Sequence, residues 1–214
     1  MDWEKYYSRM TAVDWLSYKQ RIGDRTELFR SIDHLIRPSR VLYLGSYVDL
    51  SPSMIWRGVT YVDVDKRARK FFSDEALVAQ QLQNRIYSPH SPEVRFVYGD
   101  FNSELPLPLN SFDLVISLYS GPSLEAALRY LSPNGVFLTN NSHADSSLAI
   151  VSDVFKPLAV VLHDSGQYSV KADDIDEHFS FKSVVAPSKT SLISSGKGAP
   201  LVKPNFAHLF LRSV

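Results

Sequence analysis

The stretch "VLYLGSYVDLSPSMIWRGVTYVD", residues 41–63, decides the fold. An apolar run at 41–45 ends on Gly45. A helical segment at 51–57 follows, with Pro52 in its first turn, where a missing N–H costs no intrahelical bond. A second apolar run at 59–63 ends on Asp63. Short apolar runs on either side of a helix are the pattern of a βαβ unit, whose two strands lie parallel in one sheet.

Working outward, the same rhythm predicts strands at 94–98, 112–118, 134–140, 157–162 and 206–212, and helices at 65–85, 122–131 and 144–154. "FDLVISL" and "GVFLT" are apolar at successive positions, as strands covered on both faces must be. Before the first strand, Tyr6 or Tyr7, Met10, Val13, Leu28, Phe29, Ile32 and Leu35 recur at helical spacing, with Gly23-Asp24 as a break. Residues 1–37 thus read as a helical N-terminal extension. The expectation is one α/β domain over 1–214, a mostly parallel seven-stranded sheet with helices on both faces. Residues 164–204, rich in Ser, Asp, Lys, Gly and Pro, read as a long connection before the last strand, a functional flap or a mobile segment.

The totals exclude several classes. Hydrophobic residues make up 44% and charged residues 21% of the 214, the composition of a globular protein with a full-sized core. Lys plus Arg and Asp plus Glu are both 23, so the overall balance calls for no nucleic acid and no acidic membrane. There is no cysteine, which removes disulfides, thiolate metal sites and a cysteine nucleophile. The charged start and the lack of an apolar run near the roughly 18 residues of a membrane helix lead to the expectation of a soluble, cytoplasmic protein.

In open parallel sheets ligands bind beyond the carboxyl ends of the strands, where strand order reverses. Gly45 ends the first strand and lets a ligand approach the backbone. Asp63 ends the second, where an acid can accept from both ribose hydroxyls. The third turn reads "VRFVYGDFNSELPLPLNSFDLVISLYSG", residues 94–121.

That string, with "YVDVDKRA" before it and "ALRYLSPNGVFL" after it, resembles the central stretch of the class I S-adenosylmethionine-dependent methyltransferases, over about residues 41–140. The resemblance implies the Rossmann-like methyltransferase fold and S-adenosylmethionine as cofactor. It implies that Asp63 holds the ribose, that Val64 lies against the adenine, and that Asp100, followed by Phe101, meets the adenine amino group. Gly45, Ser46 and Tyr47 would line the amino-acid end, with Ser117 facing the transferred methyl. The glycine-rich turn departs from the family pattern, because Tyr43 stands where an acid is usual and Tyr47 and Asp49 replace the later glycines. Either the cofactor sits differently there, or it does not bind and the scaffold serves a binding or interaction protein.

Other residues have two readings. Tyr43 and Tyr47 can pack or stack on a ligand. Tyr119, Asn141 and His143 follow the fourth and fifth strands, where a small-molecule substrate would lie; His143 suits a general base or a helix cap. Asp65 has the position of an N-cap. The acidic stretch from Asp173 to His178 reads as a solvated loop and not as a metal site, and "SSGKGAP" as a turn, since it lacks the spacing of a phosphate loop. The basic run Lys66-Arg67-Ala68-Arg69-Lys70 reads as a solvated helix surface. The aromatics Trp3, Tyr6, Tyr7, Trp15 and Tyr18 read as a lid or as packing against the sheet.

Overall fold

A computed structural model describes residues 13–83 and 91–213. Eight strands form one sheet: β1 (Arg40–Leu44), β2 (Gly58–Asp63), β3 (Glu93–Tyr98), β4 (Phe112–Ser117), β5 (Leu131–Thr139), β6 (Phe155–Asp164), β7 (Gln167–Lys171) and β8 (Ala207–Arg212). Their order is β3-β2-β1-β4-β5-β8-β6-β7. The first five run parallel, and β8 lies antiparallel to both β5 and β6. Strand order reverses between β1 and β4, so the crevice that the switch-point rule requires opens above those two strands.

The helices are α1 (Trp15–Ile22), α2 (Thr26–Ile36), α3 (Ser51–Ile55), α4 (Lys66–Phe72), α5 (Glu75–Gln81), α6 (Leu124–Tyr130), α7 (Asp145–Ile150) and α8 (Lys189–Ser195). Alternation along the strands assigns them to two faces. Val41, Tyr43, Val59, Tyr61, Leu114 and Ile116 join one core with α1 to α5. Leu42, Leu44, Val62 and Val115 join the other with α6, α7 and α8. The expected sandwich of helices about a mostly parallel sheet is therefore what the chain adopts.

Two expectations need correction. The segment 164–204 is not one structureless connection: Ser165 and Gly166 both take positive φ, 49° and 81°, and fold β6 back on β7 as a tight hairpin. The strands accordingly number eight and not seven. Further along, α8 begins at the side-chain cap of Ser188 and buries Leu192, and Phe181 pairs with Leu201. The helix expected at 65–85 is also broken, because the Asp74 carboxylate takes the N–H of Leu77 and starts α5 anew. Gly23, at φ 86°, separates α1 from α2 as its place in the sequence suggests. The readings at Trp3, Tyr6, Tyr7 and Met10, and the end of the 65–85 helix, lie outside the described residues. Among the described residues no helix is long and apolar enough to cross a membrane.

The antiparallel strand β8 carries a buried imidazole, His208, whose Nε2 lies 3.1 Å from the His178 carbonyl. Burial disfavours its cation and pushes its pKa down to about 4. The unfolded chain takes that proton near pH 6.5 and the folded chain refuses it, so this contribution is intact above about pH 6.5 and is lost as pH falls toward 4. The difference in unfolding free energy between wild type and His208→Gln should thus move by up to about 3 kcal/mol in favour of the variant between pH 7 and 4. Urea titration at both pH values measures it; a constant difference would mean that His208 titrates normally in the fold.

Candidate ligand site at the carboxyl edge of the sheet

The turn after β1 is made by two left-handed residues, Gly45 at φ 63° and Tyr47 at φ 47°. The N–H groups of Gly45 and Ser46 both donate to the Val62 carbonyl, at 2.8 and 3.2 Å, folding the turn over the end of β2. Tyr47 N–H donates to Asp63 Oδ2 at 2.7 Å, and Asp65 N–H donates to the other Asp63 oxygen at 2.7 Å. Asp63 therefore clamps two turns together, and each oxygen has capacity for a further hydrogen bond. Asp65 caps α4 through Arg67 N–H, as its position suggests.

Between these acids Val64 is 58% exposed, an apolar side chain left open at a strand end. The register of β2 with β3 pairs Asp63 with Tyr98, which brings the turn bearing Asp100 alongside. Asp100 is exposed and accepts only a local bond from Asn102 N–H. Phe101 points elsewhere in the packing: it is buried with Leu105, Leu107 and Phe112 in the second core. The ends of β2 and β3 thus lie side by side, Asp63 and Val64 on one and Asp100 just beyond the other, while Phe101 is in the core.

The other half of the crevice is filled by the chain itself. A Cβ on Gly45 would stand 2.1 Å from the Cβ of Ser120, so the close approach that this glycine permits is taken up by the loop after β4. Ser120 is held by the Ser117 hydroxyl at 2.5 Å, and its neighbours Tyr119 and Gly121 both have positive φ, 61° and 105°. Deeper, Asp49 is fully buried; it accepts from the Ser51 N–H and hydroxyl at 3.0 and 2.6 Å and faces Arg25 at 3.4 Å. The Tyr43 hydroxyl joins the same pair, and burial, aided by Asp49, drives its pKa well up. Burial alone would discharge Arg25, but Tyr43 and Asp49 keep it more firmly protonated than usual. The Tyr47 ring turns toward α1 and α4, against Tyr18 at 5.1 Å and the Arg67 guanidinium at 5.2 Å.

After β5, His143 is exposed, while the Asn141 amide donates to Ala199 O and accepts from the Ser147 N–H and hydroxyl. Asp145 is buried and takes the N–H groups of Ser123 and Leu124 at the start of α6; burial raises its carboxyl to about 6. Among the described residues no group of three or more His, Asp or Glu is placed to hold a metal. Arg25, Tyr168 and Phe206 were not singled out from sequence. A charged Asp49 in a glycine's place signals a buried cation, but not which one.

No family model matches the sequence, and no curated protein matches it. Solved structures do. A Methanococcus maripaludis protein assigned to the S-adenosyl-L-methionine-dependent methyltransferases is 13% identical, with a TM-score of 0.45 over 59% of this chain and 61% of that one. The YcgJ protein of Bacillus subtilis is 14% identical, with a TM-score of 0.44 over 86% and 99%. The glycopeptide N-methyltransferase MtfA, bound to S-adenosylhomocysteine, is 15% identical, with a TM-score of 0.43 over 98% and 96%. The chain spans about three fifths of the first of these. Independently of them, the strand order and the antiparallel β8 define the class: this is a Rossmann-like domain with the fold of the class I methyltransferases.

Gly45→Ala should cost about 3 kcal/mol, roughly 1 for the left-handed backbone and the remainder for the collision with Ser120. Adding Ser120→Gly should recover the second part. Thermal or urea unfolding of the single and double variants measures this, and equal losses in both would mean that Ser120 does not occupy the notch over Gly45.

Proposed function

We propose that the chain is an S-adenosylmethionine-dependent methyltransferase acting on a small molecule. The observation that supports this reading is the pairing of the ends of β2 and β3, which puts Asp63 and exposed Val64 at the end of one strand next to the strand whose following turn carries exposed Asp100. The apolar face of Val64 suits a flat base, the free lone pairs of Asp63 suit vicinal hydroxyls, and Asp100 suits an exocyclic amino group. When bound, the cofactor supplies an electrophilic methyl on a sulfonium. The protein's part is then orientation: an in-line displacement gains most from holding the nucleophile in line with the methyl, and a conspicuous catalytic side chain is not required. Gly45 and Ser46 would hold the cofactor's amino-acid end, which would require Ser120, tied to Ser117 by one hydroxyl bond, to leave its place over Gly45. Tyr119 and the exposed His143 stand on the acceptor side, His143 available to take a proton from a protonated nucleophile. Asn141 shapes that side, its amide held by Ala199 and Ser147.

A second reading, a nucleoside-binding protein without transfer, is favoured by one observation: Ser120 over Gly45 and the sealed Arg25–Asp49 pair leave the nucleoside half of the crevice open and the other half packed. Calorimetry with S-adenosylmethionine and S-adenosylhomocysteine tests the main reading, which expects saturable binding of both. Asp100→Ala should weaken binding about tenfold with no change in melting temperature, because among the described residues its carboxylate makes only a local bond. Absence of binding at about 1 mM would reject the methyltransferase reading.

A further inference from the structure

The loop after β4, residues 118–122, carries Ser120 over Gly45 and is tethered at both ends. At one end the Ser117 and Ser120 hydroxyls lie 2.5 Å apart. At the other, a carboxylate from a different element takes hold. Asp145, at the start of α7, accepts from the Ser123 N–H at 2.9 and 3.0 Å, from the Ser123 hydroxyl at 2.8 Å and from the Leu124 N–H at 3.1 Å. Asp145 is 2% exposed and Ser123 1%.

Two features separate this anchor from an ordinary helix start. Ser123 is the N-cap of α6, and serine caps a helix well by itself, yet its side chain makes no cap bond; the hydroxyl is given to Asp145 instead. The arrangement also carries two costs that a local cap would avoid. A carboxylate is buried, and among the described residues no Lys or Arg pairs with it. Ala144, just before it, holds a left-handed backbone at φ 72°, which disfavours any residue with a Cβ. What the distant carboxylate adds over a local cap is a fixed end for the loop. Only Gly121 and Pro122 separate Ser120 from Ser123, and a proline ring restricts its own φ.

We propose that Asp145 is a positioning residue of the crevice: by fixing Ser123 it keeps Ser120 in the space over Gly45, and so sets how readily a ligand takes that space. That the ligand is the amino-acid end of S-adenosylmethionine rests on the methyltransferase reading; the hold on Ser120 does not. Asp145 touches no ligand in this role and acts only through the loop.

A double-mutant cycle on the full chain, without ligand, reads that hold. Gly45→Ala sets a Cβ against Ser120, and its penalty is measured by urea unfolding. In an Asp145→Ala background the loop should yield to that Cβ, so the penalty in the unfolding constant should be about tenfold smaller than in wild type. A residue that merely supports the fold would add its own loss and leave the penalty of Gly45→Ala unchanged. Asp145→Asn keeps one accepting oxygen and turns a donor toward the Ser123 N–H, so it should shrink the penalty by about threefold. If Asp145→Ala does not fold, the cycle with Asp145→Asn decides. In a Ser120→Gly background neither variant should alter the penalty, because the collision is already gone. Equal penalties with and without Asp145, or a reduction that persists without the Ser120 side chain, would overturn the inference. Calorimetry then separates the two readings: Asp145→Asn should tighten S-adenosylhomocysteine about threefold and leave adenosine unchanged. A positive cycle with no S-adenosylhomocysteine binding would keep the role of Asp145 and reject the methyltransferase reading; binding with equal penalties would reject the role alone.

Discussion

The arrangement of this crevice depends on one buried ion pair, Arg25 with Asp49. Asp49 begins the turn into α3 and is sealed from solvent, so its charge must be met inside the protein. Two donors of Ser51 meet one oxygen; Arg25 and the Tyr43 hydroxyl meet the other. Because Arg25 sits at the head of α2, the pair draws that helix onto the sheet, where Phe29 packs against Tyr43 and Trp56 and the Trp56 indole bonds Asp33. Removing one member of such a pair typically costs about 3–5 kcal/mol, since the partner is left charged and buried. The hydrophobic cores would support the sheet without it; the position of the N-terminal helices over the crevice would not follow.

The same pair divides the crevice into two halves. On the side of β2 and β3 the strands end in half-buried Asp63 and exposed Asp100, carboxylates that can accept further hydrogen bonds, and in the exposed apolar Val64. On the side of β1 and β4 the chain fills its own notch, with Ser120 against Gly45 and the phenol of Tyr43 where the resembled family carries an acid. The asymmetry bears directly on chemistry, because only a loop movement at Ser120 admits the reactive end of the proposed cofactor.

Much of the scaffold was legible because its signals are local. Continuous apolar runs marked β4 and β5, Pro52 and Asp65 marked helix starts, and the spacing of Gly45, Asp63 and Asp100 placed the strand ends. What escaped depended on contacts distant in sequence or on turn geometry. Ser165-Gly166 between two short half-polar runs looked like open loop, and the positive φ of both residues turned it into a hairpin. Phe101 looked like a crevice residue because it follows Asp100, but the backbone reverses after Gly99 and sends its ring into the core with Leu105. Arg25 gave no sign, for its partner lies 24 residues away on another element.

The central claim is that this crevice grips a nucleoside-ended cofactor whose amino-acid tail displaces Ser120 from Gly45. The most direct test compares the affinities of S-adenosylhomocysteine and adenosine for the full chain by calorimetry. The homocysteine tail should tighten binding by about tenfold or more, and Ser120→Gly should widen the gap. Equal affinity for the two ligands, unchanged by Ser120→Gly, would contradict it.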